Sequence, residues 1–244
     1  MKYFLDTVET IPEGEGFSLF GALHMSWIAV FVIVTVINCV IYRRMVDHNR
    51  SIWRKTVAVL LVIDELFKMA MLAVGGRYNL TYLPLHLCSI NIFVVAIHAW
   101  KPKDITSSFL YTVCIPGAIA ALLFPSWATL PAGNFMHIHS FTIHILLAMY
   151  PIVLTVGGEI KVRIKQIPKC LLFLLFMAVP IYLLNILLDT NYMFLMYAEE
   201  GNPLYLFEQM WGSHLFGFPI IILGVLFVMY LPVELIRWIR KKYA

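Results

Sequence analysis

The stretch SLFGALHMSWIAVFVIVTVINCVIYRR, residues 18–44, decides the fold. It runs from Ser18 to Tyr42 without a Lys, Arg, Asp or Glu and then ends on Arg43 and Arg44. A bilayer core about 30 Å thick needs about 20 mostly apolar residues per helix, so this run is long enough to cross one. The whole chain has the same character. It is 61% hydrophobic and 13% charged with mean hydropathy +0.83, whereas a soluble domain carries roughly 25% charged residues. Comparable runs occupy 56–74, 83–100, 105–124, 137–156, 169–188 and 212–236. They use up almost all of residues 1–244 and leave no room for a soluble domain. The expectation is an all-α, polytopic membrane protein, a single transmembrane domain of seven helices residing in the cell membrane.

The net charge of +4 does not point to nucleic acid, because the cations sit in short loops between apolar runs. Arg43, Arg44, Arg50, Arg54 and Lys55 follow the first run, and Lys101 and Lys103 the third. Lys161, Arg163, Lys165 and Lys169 follow the fifth, and Arg237, Arg240, Lys241 and Lys242 close the chain. Seven spans put all of these on one side, with Lys2 and Arg77 opposite and Lys68 inside a span. The excess of Lys and Arg in cytoplasmic loops then predicts a cytoplasmic C-terminus and an external N-terminus. The basic residues follow the first apolar run, the reverse of a signal peptide. Cys39, Cys114 and Cys170 fall in or beside spans, with only Cys88 near the outer face, so no disulfide framework is expected.

In this topology helices one, three, five and seven begin at the outer face. Pro84 suits the first turn of helix three and Asn202-Pro203 a cap and first turn for helix seven. Helix N-termini meeting there would favour an anionic ligand group. A faint duplication also shows: His24 and His144 precede basic exits, and Arg77-Tyr78-Asn79 with Pro84 matches Asn191-Tyr192 with Pro203. It reads either as a 3+1+3 parallel repeat, as in some transporters, or as shared apolar composition.

Ionisable groups inside a membrane cost at least ~2.5–3.5 kcal/mol each at the centre and mark function by default. Helix two carries Asp64, Glu65 and Lys68, and either carboxylate can reach Lys68 along the helix. The remaining one needs another partner, for which the histidines are candidates. Helix three offers His86, Cys88, Ser89 and Asn91. On helix five, His137, Ser140 and His144 share a face, while His139 points about 200° away. Asn185 and Asp189 on helix six, with Glu208 and His214 beside helix seven, complete the polar set. The derived orientation puts His24, His86, His137, His144 and His214 in the outer half. Isolated histidines such as His48 and His98 read as packing residues, but five at one depth read as a site.

Three chemistries compete: a metal site using His137, His139 and an acid such as Asp189, a nucleophile activated by histidine, and proton-coupled transport. No HExxH or tight HxxxH spacing supports the metal, and no cofactor is expected. The seventh run holds no Schiff-base lysine for a retinal protein, and there is no Walker A or Gly-rich nucleotide motif. The aromatic loop 191–210, with Tyr192, Phe194, Tyr197, Tyr205 and Phe207, reads as an interfacial belt or as a lid over the polar set.

Leu83-Pro84-Leu85-His86-Leu87-Cys88-Ser89-Ile90, together with Pro116-Gly117-Ala118 and His137-Ile138-His139-Ser140, resembles the YwaF-like family of bacterial integral membrane proteins over nearly the whole chain. That family is similar to a eukaryotic group described as lipid acyltransferases, which make ether phospholipids through a proposed cysteine. The resemblance implies a cysteine immediately before the helix-three histidine, a slot filled here by Leu85, with Cys88 one turn along. The leading expectation is a lipid-modifying enzyme, acyltransferase or hydrolase, working on membrane lipids near the outer leaflet. His86 would be the base, Cys88 or Ser89 the nucleophile, and His137 and His144 supporting groups. His24, Asp64, Glu65, Lys68, Asn91, Asn185, Asp189 and His214 would line the ligand. The alternatives are a small-solute transporter or receptor and a non-catalytic assembly partner.

Overall fold

The computed structural model describes residues 2–198 and 201–243. The aromatic loop read from the sequence includes Glu199 and Glu200, which lie outside the described residues, as does the side chain of Arg240 in the C-terminal basic group. Among the described residues the chain is all helical. The principal helices are α1 (Ala22–Arg44), α2 (Asp47–Val74), α3 (Leu87–Trp100), α4 (Asp104–Leu123), α5 (Phe135–Val156), α6 (Ile167–Leu188), α7 (Pro203–Trp211) and α8 (Gly217–Tyr243).

Among the described residues six segments are long and apolar enough to cross a membrane: Ala22–Arg44, Leu80–Trp100, Asp104–Leu123, Phe135–Val156, Ile164–Leu188 and His214–Ile239. The seventh run of the sequence reading, in α2, is excluded from that set by Asp64, Glu65 and Lys68. At 28 residues α2 is nonetheless about 42 Å long at 1.5 Å per residue. Its buried positions, Val57, Ala58, Leu61, Glu65, Lys68 and Leu72, form one stripe at helical spacing, and α2 lays that stripe against α3 and α5.

The centre of the bundle is α5. It packs against α1, α2, α3 and α4, and 72% of its spanning window is buried, against 11% for α1, α6 and α8. A helix apolar on every side belongs inside, whereas the outer helices present Leu, Ile, Val and Phe to lipid. Interior packing is close: a Cβ on Gly157 would meet the Tyr42 ring at 2.7 Å, so glycine is required where α5 ends against α1.

Two sequence expectations change locally. Pro84 does not open helix three; α3 starts at Leu87 with His86 as its N-cap, and Pro84 lies in the preceding turn. Asn202 does cap a helix, its side chain accepting from the Leu204 N–H with Pro203 at the first turn. That helix is the short α7, which ends at Gly212 with φ +71° before α8 begins. Within α4, residues Leu110–Cys114 form a π turn beside Pro116, which has no N–H to give the helix. The turn aims Tyr111 and Thr112 at α8, where Tyr111 donates to the Met229 carbonyl at 2.7 Å and Thr112 Oγ1 meets Tyr230 OH at 2.6 Å.

The loops that carry the cations meet at one end of the bundle. Glu159 accepts from Tyr42 OH and from Arg54, each at 2.6 Å, Arg50 donates to the Gly157 carbonyl, Arg163 pairs with Asp104, and Arg237 bonds the Val162 carbonyl. At the other end the N-terminal segment is strapped down. Asn134 Nδ2 donates to the carbonyls of Tyr3 and Asp6 at 2.7 and 2.8 Å, and Arg77 pairs with Asp6 at 2.8 Å.

Candidate functional site

The polar stripe of α2 meets α3 at Glu65. Lys68 Nζ donates to Glu65 Oε1 at 2.6 Å, one turn along the helix, and Ser89 Oγ from α3 donates to the same oxygen at 3.1 Å. The Glu65 and Lys68 side chains are each only 9% exposed. Two charges removed from water need both mutual attraction and further hydrogen bonds to offset desolvation, and Ser89 supplies one of those bonds. The pairing chosen is therefore Glu65–Lys68, which leaves Asp64.

Asp64 finds its partner on α5. Its Oδ2 lies 2.9 Å from Nδ1 of His139, with the ring N–H out of line for a hydrogen bond, and both atoms are buried. The helical wheel had turned His139 away from the polar face of helix five. The face opposite His137 is in fact the one that meets α2. Because α5 is enclosed by neighbours, two of its faces reach polar partners; the signal in the sequence was a helix with no Asp, Glu, Lys or Arg and with histidines on opposite faces, which marks a central helix.

His144 joins the two pairs. It lies within electrostatic reach of His139, His86 and Glu65. Its Nδ1 is 2.6 Å from the Ser140 carbonyl; a carbonyl only accepts, so Nδ1 carries the proton and Nε2 the lone pair in the neutral ring. Trp127 stacks on the ring at 5.1 Å between centroids. His86 stands at the N-cap of α3 within electrostatic reach of Lys68 and Glu65, its ring edge-on to Tyr192 at 5.3 Å and near Phe194 at 6.4 Å. Met193 and Phe194 both adopt positive φ, 60° and 56°, in the loop that supplies these rings. Half-buried Cys88 is likewise within reach of Lys68 and Glu65. Asn91 is 2% exposed and its Oδ1 has no partner.

The other candidates lie elsewhere. His24 bonds the Leu122 carbonyl through Nε2 at 2.7 Å and accepts the Phe20 N–H at Nδ1 at 2.8 Å. His137 bonds the Leu130 carbonyl through Nδ1 and accepts Trp27 Nε1–H at Nε2, both at 3.0 Å. Neither keeps a ring nitrogen for other chemistry; together with Phe17 and Phe141 they tie α1 to α4 and α5. His24→Ala is expected to strand Phe20 N–H and Leu122 C=O and to destabilise the protein by about 1–3 kcal/mol. Thermal unfolding in detergent checks this. Asn185 clamps the 190s loop, donating to Tyr192 O and accepting from Thr190 Oγ1 and Tyr192 N. Asp189 is an exposed, left-handed C-cap of α6, and His214 sits 3.8 Å from Glu208 beside α7. Among the described residues no three His, Cys, Asp or Glu come together as a metal site.

A bundle of apolar helices around a buried cluster of ionisable and nucleophilic side chains defines a polytopic, membrane-embedded protein with an interior polar site. The chain belongs to the TMEM164 family, whose model matches residues 19–230. The match takes in every member of the cluster. Neither a curated protein nor a solved structure matches the chain.

Proposed function

We propose that this protein is a membrane-embedded enzyme that transfers acyl groups of lipids from a site between α2, α3 and α5. The observation that carries the reading is the buried Glu65 carboxylate, bonded by Lys68 and Ser89, with His86, His144 and Cys88 around it. Acyl transfer needs a nucleophile, a base and a donor for the developing oxyanion. Cys88 or Ser89 is the nucleophile, and the Ser89 proton already points at a carboxylate. His86 or His144 moves the proton, and Lys68 or the free N–H groups of the first turn of α3 receive the oxyanion. A lipid ester reaches such a site from the bilayer rather than from water.

In this reading α2 is the seventh span, the basic end faces the cytoplasm and the site works near the outer leaflet. Cysteines introduced at Asn79 and Lys103 test it. A membrane-impermeant maleimide added to intact cells should label N79C and spare K103C, which the span Leu80–Trp100 separates; the opposite pattern reverses the orientation or removes α2 as a span, and either overturns this topology.

The pairing of both α2 carboxylates with protonatable partners, Lys68 and His139, favours a second reading, a proton-coupled carrier. The parallel repeat, α1–α3 against α5, α6 and α8, belongs with that reading. The two separate in vesicles of phosphatidylcholine labelled in one acyl chain: purified protein should produce labelled product lipid, and H86A should lower that rate. Solute uptake abolished by Glu65 and Asp64 substitutions, without lipid turnover, would establish the carrier instead.

A further inference from the structure

Glycine inside a helix costs stability relative to alanine, so a glycine in a packed bundle needs a reason. At Gly157 the reason is the Tyr42 ring, and at Gly217 it is Phe207, whose ring would lie 2.5 Å from a Cβ. Gly117, in the Pro116-Gly117-Ala118 segment of α4, has no such neighbour. Its φ lies outside the left-handed region, and a Cβ there would meet one atom, Leu87 Cδ2, at 3.7 Å, an ordinary contact. Exposed Gly224 also has open space, but at the periphery of the bundle, whereas Gly117 is half-buried between α3 and α4. Neither backbone conformation nor the chain's own packing asks for glycine at 117. Close approach of a bound molecule does.

The space at Gly117 adjoins the cluster. Leu87 opens α3 directly before Cys88 and Ser89, and on α4 the π turn and Pro116 interrupt regular helix just before Gly117. Inward the space is closed. On the Leu87 face of α3 come Asn91, Val94 and His98, all buried. Asn91 Oδ1 has no partner, so an alkyl chain running past it would leave that acceptor unmet. Sideways the space is open: Ala120, one turn along α4, is exposed, and Ile90, Phe93 and Ile97 form the adjoining lipid-facing stripe of α3. An acyl chain whose ester carbon sits at Cys88 or Ser89 has to leave through apolar surroundings, and Asp64, Glu65 and Lys68 occupy the α2 side.

We infer that the gap between Leu87 and Gly117 is the port through which the acyl chain of the donor lipid passes from the site to the bilayer. The inference rests on the acyl-transfer reading above. Gly117 and Leu87 set the width of the port, so they are specificity-determining residues and take no part in bond making. The ligand they select is a straight alkyl chain long enough to reach from the cluster into the lipid. A chain of a few carbons ends before the port and is indifferent to its width.

Selectivity measured as a ratio separates the port from the chemistry. Purified protein is placed in vesicles of dialkyl-ether phosphatidylcholine, which holds no acyl group, with lysophosphatidylethanolamine as acceptor. Dipalmitoyl or dibutyryl phosphatidylcholine is the donor, and mass spectrometry follows the product. The palmitoyl-to-butyryl ratio of transfer should fall about 100-fold in G117L and about threefold in G117A. The 3.7 Å spacing admits the methyl of G117A without rearrangement, so that variant decides the matter even where G117L does not fold. Removing the opposing side chain in L87A/G117L should reopen the port and return the ratio to within about fivefold of wild type. A ratio unchanged in G117A and G117L, with or without a fall in total transfer, overturns the inference. So does a lowered ratio in G117L that L87A leaves low. Wild-type protein that transfers neither chain overturns the acyl-transfer reading and this inference with it, whereas unchanged ratios beside active wild type overturn the port alone.

Discussion

Glu65→Ala is expected to destabilise the folded protein by about 3–5 kcal/mol, because it leaves the Lys68 ammonium buried without its counter-charge. Lys68→Ala should have the same effect through the stranded carboxylate. Ser89→Ala removes only one hydrogen bond from Glu65 Oε1 and should cost about 1 kcal/mol. The informative variant is the double one. Glu65→Gln with Lys68→Met removes both charges and keeps the volume nearly constant, and such replacements are often neutral or stabilising by about 1–4 kcal/mol. Chemical and thermal unfolding in detergent should therefore rank the double variant at or above wild type and both single alanine variants far below. If the double variant is as unstable as the singles, the pair is a structural keystone and its place in a catalytic site loses its support.

The second large effect is on rate. His86 caps α3 through its backbone, and its ring packs against Tyr192 and Phe194 and meets the Thr81 backbone, so His86→Ala should cost about 0.5–1.5 kcal/mol of stability. In its proposed role as base of the acyl-enzyme step, its loss should cost about 10²–10⁴ in rate, and a smaller loss would pass that role to His144. Cys88→Ala and Ser89→Ala distinguish the nucleophile. One of them should fall to background with stability little changed, and the other should lose a few-fold. Activity that survives both substitutions would move the nucleophile elsewhere.

The sequence made the membrane class legible, since runs such as 18–44 have no other stable destination. It also made the gathering of cations at one end visible; Arg54, Arg163 and Arg237 do meet the same loops. Helix rotation was less accessible. Periodicity fixes the angle between His137 and His139 but not which of them faces α2, because that depends on how a helix enclosed on all sides is packed. His24 and His137 were expected in the same membrane half as the cluster, yet such a depth says nothing of ring partners such as Leu122 O or Trp27. Asn185 and Asp189 looked like ligand groups because their use in closing α6 and holding Tyr192 depends on a loop conformation with left-handed residues. Short helix α7 was hidden for a related reason: Asn202-Pro203 marks a helix start, but only Gly212 in its left-handed turn shows how soon that helix stops. What the sequence did supply was the set from Asp64 to Lys68 and from His86 to Ser89, and the structure brings those two segments together at Glu65.

The most direct measurement is acyl exchange between phospholipids in vesicles containing purified wild-type protein or the folded Glu65→Gln, Lys68→Met double variant, followed by mass spectrometry. Wild-type protein should move the labelled chain from donor to lysolipid while the double variant, equally stable, moves none. Exchange at the same rate by both proteins, or by neither, would show that the buried pair does not belong to an acyl-transfer site.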